Sequence, residues 1–259
     1  MNRQDAKTPN GLRTSSHAVP VTHHQSRRIS HALAAAAALL LLTAVSPALS
    51  GEVEWKLLQD QAEEHFRRGN LPQAEQFGRE ALREAESSFG PDHRTTEQSL
   101  ATLYGTLRYR GQLDEALQLV TRLVALRTRT HGPDDLSTAY ALHGNAEILI
   151  IQRKFGEAEK LQRRALGVFE KKLGPMHFTT AVALHNMGAI YLEQEKYKEA
   201  EKFLRAALVA KEKALKPSHL SVAHTLDSLS AALDGQGRQI EAEKVKRRAE
   251  AIRRKAAQS

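Results

Sequence analysis

The sequence predicts an all-α protein, a solenoid of about five antiparallel helix pairs. Three observations carry this prediction: the composition, a repeat of 42 residues, and two apolar stripes of helical period within each repeat. Ala, Leu, Glu, Arg and Lys dominate the chain, and these are strong helix formers. Aromatic residues make up only 5%, and there are 15 Gly and 8 Pro in 259 residues. An all-β chain would need more turn residues and more β-branched or aromatic residues.

Residues 1–50 differ from the rest of the chain and predict an export signal. Five basic residues precede an uncharged apolar run, Ala32 to Val45, and small residues stand at Ala48 and Ser50. A basic region, a short apolar core and a small-residue site are the parts of a signal peptide, here cleaved before Gly51. A membrane span needs about 20 apolar residues, more than this run supplies. The alternative is a membrane anchor that retains residues 32–50, so we expect an exported protein, periplasmic or secreted, or one anchored through that segment.

Charge and cysteine content narrow the classes of function. The chain has a net charge of +8, but residues 1–50 carry five of its 38 basic residues and one of its 30 acidic residues. The remaining chain therefore has a net charge of only +4, which weakens a prediction of nucleic-acid binding. The chain has no cysteine, which excludes disulfides, thiolate zinc sites and a cysteine nucleophile.

A repeat of 42 residues runs through the chain after residue 50. Prolines and alanines recur at this spacing: Pro91, Pro133, Pro175 and Pro217, and Ala74, Ala116, Ala158, Ala200 and Ala242. A fixed period of this length is typical of an array in which each unit stacks on the next. The repeats lie at about 53–94, 95–136, 137–178, 179–220 and 221–259. They fill residues 51–259, so the sequence predicts a single repeat domain there.

Each repeat contains two helical patterns, most clearly in the fourth. Leu184, Met187, Gly188 and Tyr191 form the first stripe, and Ala200, Phe203, Leu204, Ala207 and Leu208 form the second. Both stripes have the 3.6-residue period of an amphipathic helix. We expect Gly188 and Ala200 to let the two helix backbones approach closely, with a tight turn at Glu193 to Glu195.

These features resemble the tetratricopeptide repeat, and most closely the 42-residue type found in kinesin light chains. The resemblance covers essentially residues 52–255 and implies a right-handed superhelix whose first helices line an inner groove. It also implies a general protein-binding scaffold rather than a particular pathway. The sequence departs from the pattern at Asn145, a position that Leu103, Met187 and Leu229 fill in three other repeats. It also lacks the proline that commonly follows the loop histidine, since Arg94, Leu136, Phe178 and Leu220 stand there.

The loop between repeats contains a recurring histidine or aspartate: His93, Asp135, His177 and His219. Equivalent residues of stacked repeats lie about 10 Å apart, too far to share one zinc ion. A structural role is favoured instead. Two residues later stand Thr95, Ser137, Thr179 and Ser221, which we predict to be the N-caps of the first helices. Thr95 with Gln98 matches a capping box.

The groove implied by the resemblance is where we expect the binding site. Its candidate residues are Arg108, Tyr109, Tyr140, His143, Glu147, Ile150, Ile151, His185, Asn186, Glu193 and Asp227. Tyr109 and Ile151 occupy equivalent positions and could anchor an apolar side chain of a partner, or pack against the neighbouring turn. Asn186 could pair with the backbone of a ligand, or simply face solvent.

The function predicted from these patterns is an exported, non-catalytic scaffold that binds a protein or peptide in its groove. No catalytic motif occurs in the chain, so no enzyme activity, cofactor or metal is expected. One alternative is a membrane-tethered assembly protein, which requires residues 32–50 to be retained. Another is a nucleic-acid or anionic-surface binder that uses the basic C-terminal helix, residues 238–255. Nucleic acid is the less favoured partner because acids interleave with the basic residues and no aromatic platform accompanies them.

Overall fold

The computed structural model describes residues 47–258, and that part of the chain consists of α-helices joined by short turns and loops, with no strand. Its ten helices are α1 (Pro47–Arg67), α2 (Leu71–Phe89), α3 (Arg94–Tyr109), α4 (Leu113–Thr130), α5 (Leu136–Ile151), α6 (Phe155–Leu173), α7 (Phe178–Glu193), α8 (Tyr197–Ala214), α9 (Leu220–Asp234) and α10 (Gln239–Ala257). The predicted all-α class is confirmed. The apolar run of residues 32–45 lies outside the described residues. Within residues 47–258 no helix is both long and apolar enough to cross a bilayer.

The helices pack as five consecutive pairs, and each pair packs on the next. Within a pair, a short turn reverses the chain through one residue of positive φ: Gly69, Gly111, Arg153, Glu195 or Gly237. Glycine adopts this conformation without steric cost, whereas Arg153 and Glu195 have a Cβ that disfavours it. The turn of the fourth pair spans residues 194–196, one residue later than predicted.

The loops between pairs end one helix and cap the next, but the predicted caps are wrong. The N-cap residues are His93, Asp135, His177 and His219, and not the Ser or Thr two residues later. In each case the cap side chain accepts a hydrogen bond from the backbone N–H of that Ser or Thr, at 2.8 Å for Asp135 and 3.1 Å for His177 and His219. The capping box predicted for Thr95 and Gln98 fails for the same reason, because Thr95 already lies inside the helix.

The core runs along the array rather than forming one centre. The largest cluster joins α5 to α10 and includes the fully buried Leu142, Phe169, Met187 and Ile190. A second cluster joins α2 to α5. A small cluster holds α1 to α2 through Trp55, Ala81 and Ala85. Residues 51–259 form a compact unit by their own contacts, and all of these clusters lie within it, so this unit carries its own hydrophobic core.

Candidate functional site

The first helix of each pair keeps one face uncovered, which we call the first-helix face. In α3 it contains residues 98, 105 and 109, and the equivalents are 140, 147 and 151 in α5, 182, 189 and 193 in α7, and 224, 231 and 235 in α9. Within each helix these positions are seven and four residues apart, about two turns and one turn, as expected for one side of a helix. Side chains bridge neighbouring first helices along this face, for example Gln98 to Glu63 at 3.2 Å. The face is therefore continuous from one pair to the next.

Four of the predicted groove residues meet in a polar network across three first helices. Arg108 of α3 donates to Glu147 of α5 at 2.7 Å, and His143 lies 3.4 Å from the same carboxylate. Asn186 of α7 also hydrogen-bonds to Glu147. Burial would raise the pKa of Glu147, but His143, Arg108 and Asn186 together hold it below its usual value. Glu147 is thus an ionised hub, and the amide of Asn186 is already engaged within the protein.

Tyr109 and Ile151 are the most exposed large apolar residues of the first-helix face. Their exposed fractions are 65% and 59%. The Tyr109 ring packs edge-on against Phe66, with 5.3 Å between the centroids, and the Arg108 guanidinium lies 5.3 Å from the Tyr109 centroid. Next to them a cleft of about 270 Å³ opens between α1 and α3, lined by Glu63, Phe66, Arg67, Ala101, Thr102 and Gly105. Sequence reasoning missed Phe66, although an aromatic residue directly before the first turn was a signal for it.

His143, besides its place in the Glu147 network, and Ile150 turn toward the interior of the third pair. The His143 ring lies 3.0 Å from the Gln162 side chain of α6 and packs edge-on against Phe169. Ile150 is only partly exposed and packs against the largest core cluster. Tyr140 stays accessible, with its ring 5.1 Å from that of Phe169 and its hydroxyl 3.5 Å from the Thr179 hydroxyl. Of these three residues, Tyr140 is therefore the one placed to contact a partner.

A buried polar cluster lies between the fourth and fifth pairs. His185 of α7 is 3.3 Å from the Thr225 hydroxyl of α9, and the Lys211 ammonium of α8 donates to the same hydroxyl at 2.9 Å. Burial lowers the pKa of His185 to about 4, with the nearby charges of Lys211 and His224 acting in the same direction. Burial also lowers the pKa of Lys211 to about 8. Sequence reasoning missed Lys211, since a lysine near the end of a helix gives no sign that it is buried.

The two remaining candidates form ion pairs at the ends of the face. Glu193 accepts from Arg153 at 3.2 Å, across the turns of the third and fourth pairs. Asp227 pairs with Arg253 of the last helix. The described residues bring no three His, Asp or Glu side chains close enough together to hold a metal ion. The geometry offers polar and apolar contact groups along a continuous face.

Stacked helix pairs of fixed period define an α-solenoid repeat protein. A model of the tetratricopeptide repeat matches residues 101–171, 137–213 and 179–255, and a second tetratricopeptide repeat model matches residues 62–95. The chain therefore belongs to the tetratricopeptide repeat family, which is generally non-catalytic, and the repeats support a protein-interaction scaffold. No curated protein matches the sequence.

Solved structures resemble this fold at low sequence identity. One is a putative kinesin light chain with nearly identical TPR-like repeats from Podosopora anserina, with 20% identity, a TM-score of 0.67, and coverage of 79% of this chain and 96% of that chain. Another is BtubC (BKLC) from P. vanneervenii, with 21% identity, a TM-score of 0.69, and coverage of 90% and 92%. A third is the apo form of RapI, with 20% identity, a TM-score of 0.70, and coverage of 79% and 72%. At these identities the likeness describes the fold alone.

Proposed function

We propose that this protein is an exported, non-catalytic scaffold that receives a segment of a partner protein in a concave groove lined by its first helices. The observation that carries the proposal is the pair of exposed apolar side chains, Tyr109 and Ile151, at equivalent positions of neighbouring pairs, with Tyr109 packed on Phe66 at the edge of a cleft. Exposed apolar groups beside a cleft are typical of protein-binding surfaces.

The contacts between neighbouring pairs support curvature toward the first helices. Cα atoms of the first helix α7 come within 8 Å of Cα atoms of the first helices α5 and α9, and Thr225 of α9 lies 3.3 Å from His185 of α7. Second helices are bridged by longer side chains, as in the ion pairs Arg79–Glu115, Arg122–Glu86 and Arg248–Glu212. Closer approach of the first helices favours a curve with these helices on its inner side, which is the groove of the proposal.

The proposed contacts divide into apolar anchors and polar groups. Tyr109, Ile151 and Tyr140 supply apolar surface, while Ile150 packs on the core beneath them. Equivalent positions of stacked repeats are about 10 Å apart, which is about three residues of an extended chain. An extended partner segment would therefore place apolar side chains on Tyr109 and Ile151 from positions three residues apart. Glu193 contributes a polar contact, and the Glu147 network, which includes Asn186, holds the three first helices in register.

The groove is tested by photo-crosslinking the unit of residues 51–259 to envelope extracts and comparing variants. Tyr109→Glu with Ile151→Glu should reduce recovery of the crosslinked partner at least tenfold, about 1.4 kcal/mol of binding free energy. Ile240→Glu with Val209→Glu is the matched control, because Ile240 and Val209 are exposed apolar residues of second helices. Equal recovery with the groove variant and the parent protein would remove the groove from the proposal.

Export is a proposal from the pattern of residues 1–50, and sequencing of the mature N-terminus tests it. A chain that begins at Gly51 would agree with cleavage, and one that retains residues 32–50 would favour the tethered alternative. The nucleic-acid alternative has less support. In the basic segment 238–255 four arginines already pair with carboxylates, namely Arg238, Arg247, Arg248 and Arg253. Fewer free cations therefore remain for phosphate groups.

A further inference from the structure

The edge of the array where second helices end and first helices begin carries a column of lysines. Lys171, Lys213 and Lys255 occupy equivalent positions near the ends of α6, α8 and α10, and all three side chains are exposed. Lys172 in the last turn of α6 and Lys216 in the loop after α8 stand beside them, also exposed. No ion pair involves these five lysines in the part of the chain that the structure describes. Repeat spacing places the members of the column about 10 Å apart.

Exposed apolar side chains accompany the lysines on the same edge. Met176 lies in the loop between the third and fourth pairs, Phe178 begins the next helix, and Leu220 begins the equivalent helix after the fourth pair. Their exposed fractions lie between 39% and 47%. Phe178 and Leu220 are the first residues of their helices, next to the capping histidines. Proline commonly occupies this position, directly after the loop histidine, in the repeat type that the sequence resembles. The turn itself therefore does not require a large apolar side chain there.

The four inter-repeat loops differ in a way that helix capping does not explain. Segments 171–178 and 213–220 contain four lysines and two histidines and no acid, whereas segments 87–94 and 129–136 contain Asp92, Asp134 and Asp135. Lysines near a helix C-terminus complement its dipole. That role accounts for lysines in the last turn of each helix. It accounts neither for the loss of every acid nor for the apolar residues beside them.

We propose that this edge, which we call the lysine edge, docks on the surface of an anionic lipid bilayer. It consists of Lys171, Lys172, Lys213, Lys216 and Lys255 with the apolar tips Met176, Phe178 and Leu220. The tips enter the boundary between headgroups and acyl chains, while the ammonium groups remain among the lipid phosphates. Such docking does not require residues 32–50, and it leaves the first-helix face free for a protein partner.

A bilayer fits the combination of groups better than a nucleic acid does. Unpaired cations attract any polyanion, but apolar side chains gain nothing from a phosphate backbone and one phenyl ring is a poor platform for stacked bases. A membrane interface rewards both components, because it offers anionic headgroups above an apolar layer. The partner chemistry of the lysine edge is therefore an anionic phospholipid surface.

The test is co-sedimentation of the unit of residues 51–259 with lipid vesicles, after circular dichroism has shown that each variant is folded. Phosphatidylcholine vesicles with about one third phosphatidylglycerol provide the anionic surface at ~0.1 M salt, and pure phosphatidylcholine is the neutral comparison. The parent should bind the anionic vesicles and not the neutral ones. Lys171→Gln with Lys213→Gln and Lys216→Gln should weaken binding about fivefold for each lysine removed. Phe178→Ser with Leu220→Ser should weaken it about tenfold without any change of charge.

The matched control removes three exposed lysines from the other end of the second helices: Lys198→Gln, Lys202→Gln and Lys244→Gln. This variant has the same net charge as the lysine-edge variant and should bind nearly as well as the parent. Equal losses in the two lysine variants would overturn the proposal in favour of non-specific attraction. An unaffected Phe178→Ser, Leu220→Ser variant would also overturn it, and binding of a single-stranded oligonucleotide with the same lysine dependence would identify a nucleic-acid surface. Tyr109→Glu with Ile151→Glu should leave vesicle binding unchanged, which separates this surface from the groove.

Discussion

At the scale of single residues, the recurring loop histidine is a helix cap. The Nδ1 atom of His219 accepts from the backbone N–H of Ser221 at 3.1 Å, as the Asp135 carboxylate does for Ser137 at 2.8 Å. The sequence predicted the cap two residues too late because Ser and Thr are more usual N-caps than His. The signal was present, since an Asp takes the place of His in the second of these loops and Asp is a strong N-cap residue.

Replacement of His219 by Ala should lower the free energy of unfolding by about 1 kcal/mol, the usual cost of losing an N-cap acceptor. Ser221→Ala is the matched control and should have a much smaller effect, because the Ser221 contribution is its backbone N–H, which alanine retains. Urea unfolding of both variants measures the difference. A larger loss from Ser221→Ala than from His219→Ala would assign the cap to the serine instead.

His185 should make the protein sensitive to mild acid. Burial lowers its pKa to about 4 in the folded state, against an ordinary value of 6.5. The unfolded chain therefore binds the proton more readily between pH 6.5 and 4, and stability falls as the pH falls through this range. A pKa shift of this size corresponds to about 3 kcal/mol of unfolding free energy, lost as the pH falls from 6.5 to 4.

The measurement is the free energy of unfolding as a function of pH for the parent and for His185→Gln. The variant should lose the part of the pH dependence that lies between pH 6.5 and 4. His224→Gln is the control, because His224 is an exposed neighbour of the same cluster. If His185→Gln left the pH dependence as it is in the parent, His185 would not be the group that resists protonation.

At the scale of helices, the close approach within a pair depends on a glycine that the sequence identified. A Cβ at position 188 would lie 2.5 Å from Leu204 Cγ and 3.4 Å from the Ala200 carbonyl oxygen. The apolar stripes predicted this contact, because they place Gly188 and Ala200 on facing sides of α7 and α8. Periodicity alone predicts which helices pair, since the pattern recurs in every repeat.

Gly188→Ala should destabilise the protein by about 1–3 kcal/mol, because the added methyl group forces Leu204 and the α8 backbone away. Gly167→Ala is the matched control, since Gly167 is helical and exposed, with open space around its Cβ position. It should instead stabilise the protein by about 0.5–1 kcal/mol through helix propensity. Both are measured by urea unfolding. If overlap between the new Cβ and the Leu204 side chain causes the destabilisation, Gly188→Ala should lower the free energy of unfolding less in a Leu204→Ala background. Equal losses in the two backgrounds would exclude this overlap as the cause.

The side-chain partners of the groove residues could not be predicted in the same way. His143, Glu147 and Asp227 bond to residues on other helices, whose positions depend on the offset and rotation between packed helices. A 42-residue period fixes which helix a residue belongs to, but not which neighbour its side chain reaches. The first-helix face was therefore predictable as a surface, whereas the Glu147 network and the buried Lys211 required coordinates.

At the scale of the whole molecule, the array is held together unevenly. The largest core cluster joins α5 to α10, whereas α1 is held by the small cluster around Trp55 and by polar contacts. Trp55 donates its ring N–H to Ser99 at 2.8 Å, and Gln59 donates to Thr102 at 2.7 Å. Contacts in a repeat array are made mainly between neighbours, so local stability follows the local core. The repeat architecture was predictable because five copies share one pattern. The difference in local stability along the array arises from differences among the copies, which the shared pattern does not show.

Hydrogen exchange should therefore show the lowest protection in α1 and α2 and the highest in α7 and α8. Trp55→Ala removes the main apolar anchor of α1 together with its bond to Ser99, so it should lower protection across residues 51–89. Protection in residues 178–214 should change little, because the cluster that buries Met187 and Leu204 does not include Trp55. Exchange followed by mass spectrometry measures both regions in one experiment. An equal loss in the two regions would show that the array unfolds as a single cooperative unit, since the loss of one terminal contact would then be shared by every repeat.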